Sequence, residues 1–217
     1  MKTIGTLHVL TDTVLQSRYS HLELARLAVA GGADTIQYRQ KAGSTRKMIE
    51  TASALQRLCA DAGATLIVND RVDVAIASGA DGVHLGQDDF PLGRARDLLG
   101  PEVVIGGTAK TLDQVQVAAS EGADYVGFGP IYPTGSKADA GEVKGLEGLA
   151  RISRSSPIPV VAIGGIGIAT AAGVISAGAR GIAVISAVCC QDDPQAAAAR
   201  LIAEIAAGRT RKETDLP

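Results

Sequence analysis

The chain has 217 residues, 46% hydrophobic and 20% charged, with a formal net charge of −2 at pH 7. That length can bury one large core, while the charge gives no basic footprint for nucleic acid or an acidic membrane. Aromatic residues at 3% with no Trp leave little surface for base stacking, and no apolar run is long enough to span a bilayer.

The first residues, MKTIGTLHVLTD, carry one Lys and turn polar too soon for a secretory signal. Cys59 falls on a helical stretch and reads as core, while Cys189 and Cys190 are adjacent, so the three make neither a metal-ligand spacing nor a disulfide framework. A reducing cytoplasm is the expected setting. The expected partners are small-molecule substrates, with no nucleic acid and no membrane; a homo-oligomer is left open.

Residues 6–10 form the first expected strand, and Ser20-His21-Leu22-Glu23 is a capping box opening the first helix. Then a fragment recurs: GGADTIQYR from Gly31, SGADGVHLG from Ser78, EGADYVGFG from Glu121 and AGARGIAVI from Ala177. In each the Gly before Ala sits where a helix should stop, since Gly enters the left-handed cap cheaply. Each continues into a short Val/Ile-rich run of the kind buried on both faces of a parallel sheet. Runs at 65–68, 103–105 and 159–163 bring the strands to eight, alternating with helices. A second capping box, Thr111-Leu112-Asp113-Gln114, opens one of these helices, and Pro194 suits the first turn of the last. Eight such units in this length predict an α/β fold, a single-domain TIM (β/α)8 barrel over 1–207. Residues 208–217, GRTRKETDLP, read as a polar, frayed tail.

The working face of such a barrel is built from the C-terminal ends of its strands. Asp34, Asp81 and Asp124 begin their strands, so they belong to the opposite face and should hold turns. Asn69-Asp70 end the third strand and Asp88-Asp89 follow the fourth. A right-handed crossover makes these strands parallel, and if they are neighbours the carboxylates of Asp70 and Asp89 emerge about 5 Å apart. Acids that close repel unless a cation lies between them, and Mg²⁺ suits two carboxylates plus a substrate phosphate. The plainer reading, that both are helix caps, stays open here.

Gln37, Arg39 and Lys41 alternate at the end of the second strand, which places them on one side. They form an anion clamp or, for Arg39, a pair with a buried acid; the Gln-x-Arg-x-Lys row favours the clamp. Thr108 and Lys110 follow the fifth strand, where a hydroxyl could meet the reacting centre or simply cap a helix. The loop GPIYPTGSK offers the Thr134 and Ser136 hydroxyls and the Lys137 charge, a composition that wraps phosphates and also fills ordinary turns. Gly164-Gly165 after strand seven and Ile185-Ser186 after strand eight stand where barrels often bind phosphate. His84 reads as a core or rim histidine, and His8 and His21 make no triad or metal spacing.

The segments QYRQK from Gln37, VNDRVDVA from Val68, DGVHLGQDD from Asp81, GADYVGFGPIYPTGSK from Gly122, PVVAIGGI from Pro159 and GIAVISA from Gly181 cover nearly the whole chain. In them the sequence closely resembles the thiamin phosphate synthase (thiamine-phosphate pyrophosphorylase) family. The resemblance implies a TIM-type barrel and a transferase that joins hydroxymethylpyrimidine diphosphate to a thiazole phosphate, or its carboxylated form, releasing pyrophosphate. It implies Mg²⁺ as cofactor on Asp70 and Asp89, with Arg39, Lys41, Asn69 and Lys137 around the diphosphate. Gln37 would lie by the pyrimidine and Thr108 by the reacting groups. Thr134, Ser136, Gly165, Ile185 and Ser186 look like the thiazole-phosphate site.

Four positions depart from the family pattern. Tyr38 replaces a small aliphatic and should face the outer helices; Thr108 replaces Ser, Ser136 replaces Thr, and Lys110 stands where His is frequent. The related thiazole tautomerase uses a His at that last position and usually lacks the paired acids, so the residues here favour the synthase. A non-catalytic phosphate-binding barrel is the alternative from another class.

Overall fold

The computed structural model describes residues 4–136 and 141–214, with side chains to residue 211. Eight parallel strands close into a barrel in sequence order. They are β1 (Leu7–Thr11), β2 (Thr35–Tyr38), β3 (Thr65–Asn69), β4 (Gly82–Leu85), β5 (Val104–Ala109), β6 (Tyr125–Phe128), β7 (Val160–Ile163) and β8 (Gly181–Val184). The helices between them are α1 (His21–Ala30), α2 (Thr45–Asp61), α3 (Val72–Ser78), α4 (Leu92–Leu99), α5 (Leu112–Ser120), α6 (Gly145–Ser155) and α7 (Ile168–Ser176), followed after β8 by α8 (Ser186–Cys189) and α9 (Pro194–Thr214). Pairing β1 with β8 closes the ring, so every strand has two neighbours and no edge is left exposed.

The period-two pattern of the strands sorts their side chains between two cores. One set packs against the helices: Leu7, Val9, Ile36, Leu66, Val68, Val83, Ile105 and Val126 meet Leu24, Leu55, Leu149 and Leu201. Tyr38 belongs to this layer, as expected. The other set fills the barrel itself: Leu10, Ile67, Val104, Tyr125, Val161, Ala183 and Ile185.

The recurring fragments have the expected backbone. Gly32, Gly79, Gly122 and Gly178 all lie at positive φ, between 67° and 109°, where the chain turns from helix to strand. The aspartates that follow three of them stitch the lower face together. Asp34 accepts the Thr6 and Leu7 N–H groups, Asp81 accepts Leu66 N–H at 2.9 Å, and Asp124 accepts Ile105 N–H at 2.7 Å. Ser20 and Glu23 form the capping box, and Asp193 caps α9 by accepting Ala196 N–H. At the second proposed box Thr111 accepts Gln114 N–H, but the Gln114 side chain accepts from Lys110 instead, one residue earlier.

Two expectations are corrected. The segment from Gly208 is helical to Thr214, because Gly208 is buried against α7, where a Cβ would lie 2.5 Å from the Ala172 carbonyl oxygen. Polar composition hid this, since only one face of α9 packs. Thr108 lies inside β5, in register with Gly127, because β5 runs on through a Gly-Gly-Thr-Ala stretch that lacks an apolar run of its own.

Candidate active site

A cavity of about 700 Å³ opens at the C-terminal ends of the strands. Its lining includes Arg39, Lys41, Asn69, Asp70, Asp89, Thr108, Thr134, Ser136, Gly165, Ile185 and Ser186. Two of the expected residues are not among these. Gln37 is 4% exposed and lies below the mouth, in register with Leu10 and Ile67 of the barrel filling. Lys137 lies outside the described residues.

The acidic side of the mouth comes from β3 and β4. Asp70 follows β3 in the left-handed region, φ 67°, a conformation that Asp tolerates better than most residues. Its N–H donates to the His84 carbonyl oxygen at 2.8 Å, so the turn leaving β3 is anchored on β4. Lys41 Nζ donates to Asp70 Oδ2 at 2.5 Å. Asp89 folds back to accept the Gly86 N–H at 2.7 Å, and a Cβ on Gly86 would meet that same oxygen. Burial pushes the Asp89 carboxyl above the usual range; the Gly86 N–H opposes this, while the Asp70 carboxylate adds to it. β3 and β4 are neighbours in the ring, and both carboxylates line the cavity.

Of the two readings weighed for Arg39, the pair with a buried acid is present. Its Nη1 pairs with Asp12, which is buried at the end of β1, yet the guanidinium also lines the cavity. The other Asp12 oxygen accepts Val14 N–H at 2.8 Å and Leu15 N–H at 3.0 Å, so loop and guanidinium are held by one carboxylate. Arg39 Nε keeps no partner among the described residues. Asp12 escaped the sequence reading, although it stands at the end of its strand as Asp70 does.

The opposite side of the mouth is built from backbone and hydroxyls. Beyond β6 the chain runs beside the end of β7, with Ile131 N–H on the Ile163 carbonyl and Tyr132 N–H on that of Gly164, each at 3.0 Å. Gly164 and Gly165 have φ 98° and 65°, and a Cβ on either would strike this loop, at Pro130 or at Tyr132 and Pro133. Only glycine permits both the backbone conformation and the close approach. Ser136 and Ser186 hydroxyls meet at 3.4 Å, joining the loop after β6 to the start of α8.

Between the two sides stand Thr108 and His84. His84 Nε2 lies 3.0 Å from Thr108 Oγ1 and Nδ1 lies 3.0 Å from the Tyr125 hydroxyl. Gln87 Nε2 donates to the Thr108 carbonyl, tying the loop after β4 to β5. Neither Gln87 nor the second bond of His84 could be read from local sequence, because each partner lies on another strand.

The family model described as thiamine monophosphate synthase matches residues 7–188. The chain belongs to the thiamine monophosphate synthase family. It is a transferase of thiamine biosynthesis, with thiamine-phosphate synthase function. It is 52% identical over 204 residues to the thiamine-phosphate synthase of Salinibacter ruber, covering 94% of this chain and 90% of that one. The thiamine-phosphate synthase of Moorella thermoacetica is also 52% identical, over 90% of this chain and 93% of its own. A solved thiamine phosphate pyrophosphorylase from Pyrococcus furiosus superposes with a TM-score of 0.86 at 42% identity, covering 94% of this chain and 96% of that chain. These likenesses span the barrel and its mouth alike, and set aside the tautomerase and the non-catalytic barrel.

Proposed function

We propose that the cavity joins hydroxymethylpyrimidine diphosphate, bound on the β2–β4 side, to a thiazole phosphate bound on the β6–β8 side. The observation that carries this is that Asp70 and Asp89, from neighbouring strands, line one cavity together with the Gly164–Gly165 and Ser186 rim. Charge attracts the diphosphate on one side; backbone and hydroxyl donors take the smaller phosphate on the other.

The donor set fits a hard divalent ion. Asp70 and Asp89 would hold such an ion, with phosphate oxygens of the substrate as further hard donors, and it would relieve the cost that burial and Asp70 place on the Asp89 charge. Bound there, Mg²⁺ would offset the charge that builds on pyrophosphate as it leaves. Lys41, held on Asp70, and Arg39, held on Asp12, lie where they would face the same oxygens. Lys137 would add a further charge there. Asn69 and Gln37 would align the pyrimidine, Gln37 from beneath the mouth.

The carbon–oxygen bond to the diphosphate breaks with its electron pair leaving on pyrophosphate. The electron-rich pyrimidine carries the resulting cation until the thiazole nitrogen lone pair closes the new carbon–nitrogen bond. No covalent nucleophile is needed. Thr134, Ser136, Gly165, Ile185 and Ser186 orient the thiazole so that its nitrogen faces the carbon, which turns a bimolecular capture into a positioned one.

No helix among the described residues is long and apolar enough to cross a membrane. The cytoplasm suits an enzyme in which the adjacent Cys189 and Cys190 are both unbridged thiols.

The test is direct. Purified protein with both heterocycles and Mg²⁺ should release thiamin phosphate and pyrophosphate in equal amounts, and a chelator should stop it until Mg²⁺ is restored. Product formation undiminished by the chelator would remove Asp70 and Asp89 from a metal role.

A further inference from the structure

The interior of the barrel contains a line of three side chains, of which only the last, Thr108, was expected beside the reacting groups. Tyr125 is buried on β6, His84 on β4 reaches from it to the cavity, and Thr108 on β5 ends the line at the cavity wall. Two glycines clear the space for it. A Cβ on Gly106 would lie 2.2 Å from the Tyr125 ring, and one on Gly127 would lie 3.0 Å from His84 Cε1. Both rings therefore occupy room that any other residue on β5 or β6 would take, and their placement is specified rather than incidental.

The hydrogen positions follow from the network. Among the described residues the Tyr125 hydroxyl has one hydrogen-bond partner, His84 Nδ1. A buried hydroxyl with one partner donates to it when that partner can accept, since an unpaired buried O–H is costly. Burial also pushes the Tyr125 phenol far above its ordinary value, so it keeps its proton. His84 then accepts at Nδ1 and carries its hydrogen on Nε2, which makes it the donor to Thr108 Oγ1. With its oxygen accepting from the ring, the Thr108 hydroxyl has its own hydrogen left to donate, and the cavity is where it can do so.

We propose that Tyr125 and His84 are positioning residues that fix the Thr108 hydroxyl as a donor into the cavity, toward an acceptor atom of the pyrimidine diphosphate. The assignment rests on the proposed function for its ligand, but its first half, the tautomer, does not.

The tautomer is read in the ligand-free protein from the ¹⁵N shifts of the His84 ring. The Nε2–H form is expected for the neutral ring, and the Nδ1–H form would overturn the proposal whatever the substrate proves to be. The second half is read as a double-mutant cycle on turnover. Thr108→Val should lower kcat about five- to tenfold, the scale of one neutral hydrogen bond, whereas Thr108→Ser should stay within about twofold of the parent. Tyr125→Phe should lower kcat by a similar factor without changing KM for the thiazole phosphate. In the Thr108→Val background Tyr125→Phe should do nothing further to kcat. Independent, multiplying losses would mean that Tyr125 matters for packing alone and would sink the inference. A protein that makes no thiamin phosphate at all would refute the proposed function and leave the tautomer result standing.

Discussion

The same amino acid does opposite work at the two ends of this barrel. At the lower face Asp34, Asp81 and Asp124 each accept N–H groups from the start of the preceding strand, and Asp124 also pairs with Arg96 at 2.7 Å. At the upper face Asp70 and Asp89 line one cavity, with Lys41 on Asp70. A carboxylate surrounded by donors stabilises the closed ring. A carboxylate facing another holds unfavourable charge that a ligand must relieve. Stability and function are thereby separated along the strand axis, and residues eight positions apart in one strand–loop unit, Asp81 and Asp89, can be changed for different reasons.

The comparison can be broken in three ways. The largest effect should come from Asp89→Asn, which keeps an acceptor for the Gly86 N–H but removes the charge. Turnover with Mg²⁺ should fall by about 100-fold or more, while the thermal midpoint should hold or rise because a repulsion is gone. A lowered midpoint would show that the upper pair stabilises the fold after all. Asp124→Asn should do the reverse: a loss of about 2 kcal/mol in urea unfolding, the scale of a charge-assisted hydrogen bond, with kcat of the folded enzyme little changed.

The smallest effect concerns His8, which is buried inside the lower barrel against Tyr125. Burial lowers its pKa from 6.5 to about 4, against the opposing pull of Asp34 and the Gly5 backbone. The unfolded chain therefore takes up this proton before the folded one does. The stability contributed by the neutral ring is complete above about pH 7, is lost as pH falls from 6.5 toward 4, and changes no further below that. Between pH 6 and pH 5 the loss should be about 1 kcal/mol, and in a His8→Gln variant the slope should shrink. A slope that survives the substitution would assign the effect to other groups, His21 among them, whose pKa burial also lowers.

The order of strands around the ring was legible because each Gly-Ala-Asp or Gly-Ala-Arg fragment encodes three local facts at once: a helix end, a turn and a buried strand. Which face each aspartate serves followed from its position before or after the strand. Most of the mouth was legible for the same reason, since Asp70, Asp89, Thr134, Gly165 and Ser186 all follow strand ends. Gln37 lies one layer below the mouth, level with Leu10 and Ile67, a depth that only the register of neighbouring strands reveals, while Arg39 and Lys41 continue its alternation in a loop. Thr108 was read as following its strand because Gly106 and Gly107 interrupt the apolar pattern by which strands are recognised. Those glycines are there to admit Tyr125 and Leu92, which is information about other elements.

From its sequence alone this chain determined the repeat, the direction of every strand and the end at which its chemistry must lie, because hydrophobic period and turn residues act over a few neighbours. The tertiary structure alone decided that Arg39 would be met by Asp12, that His84 would join Tyr125 to Thr108, and that α9 would dock on α7 through Gly208. Those partners lie on different elements, and their distances are set by ring closure and by how closely helix backbones approach. Neither is written in the spacing of residues along one strand.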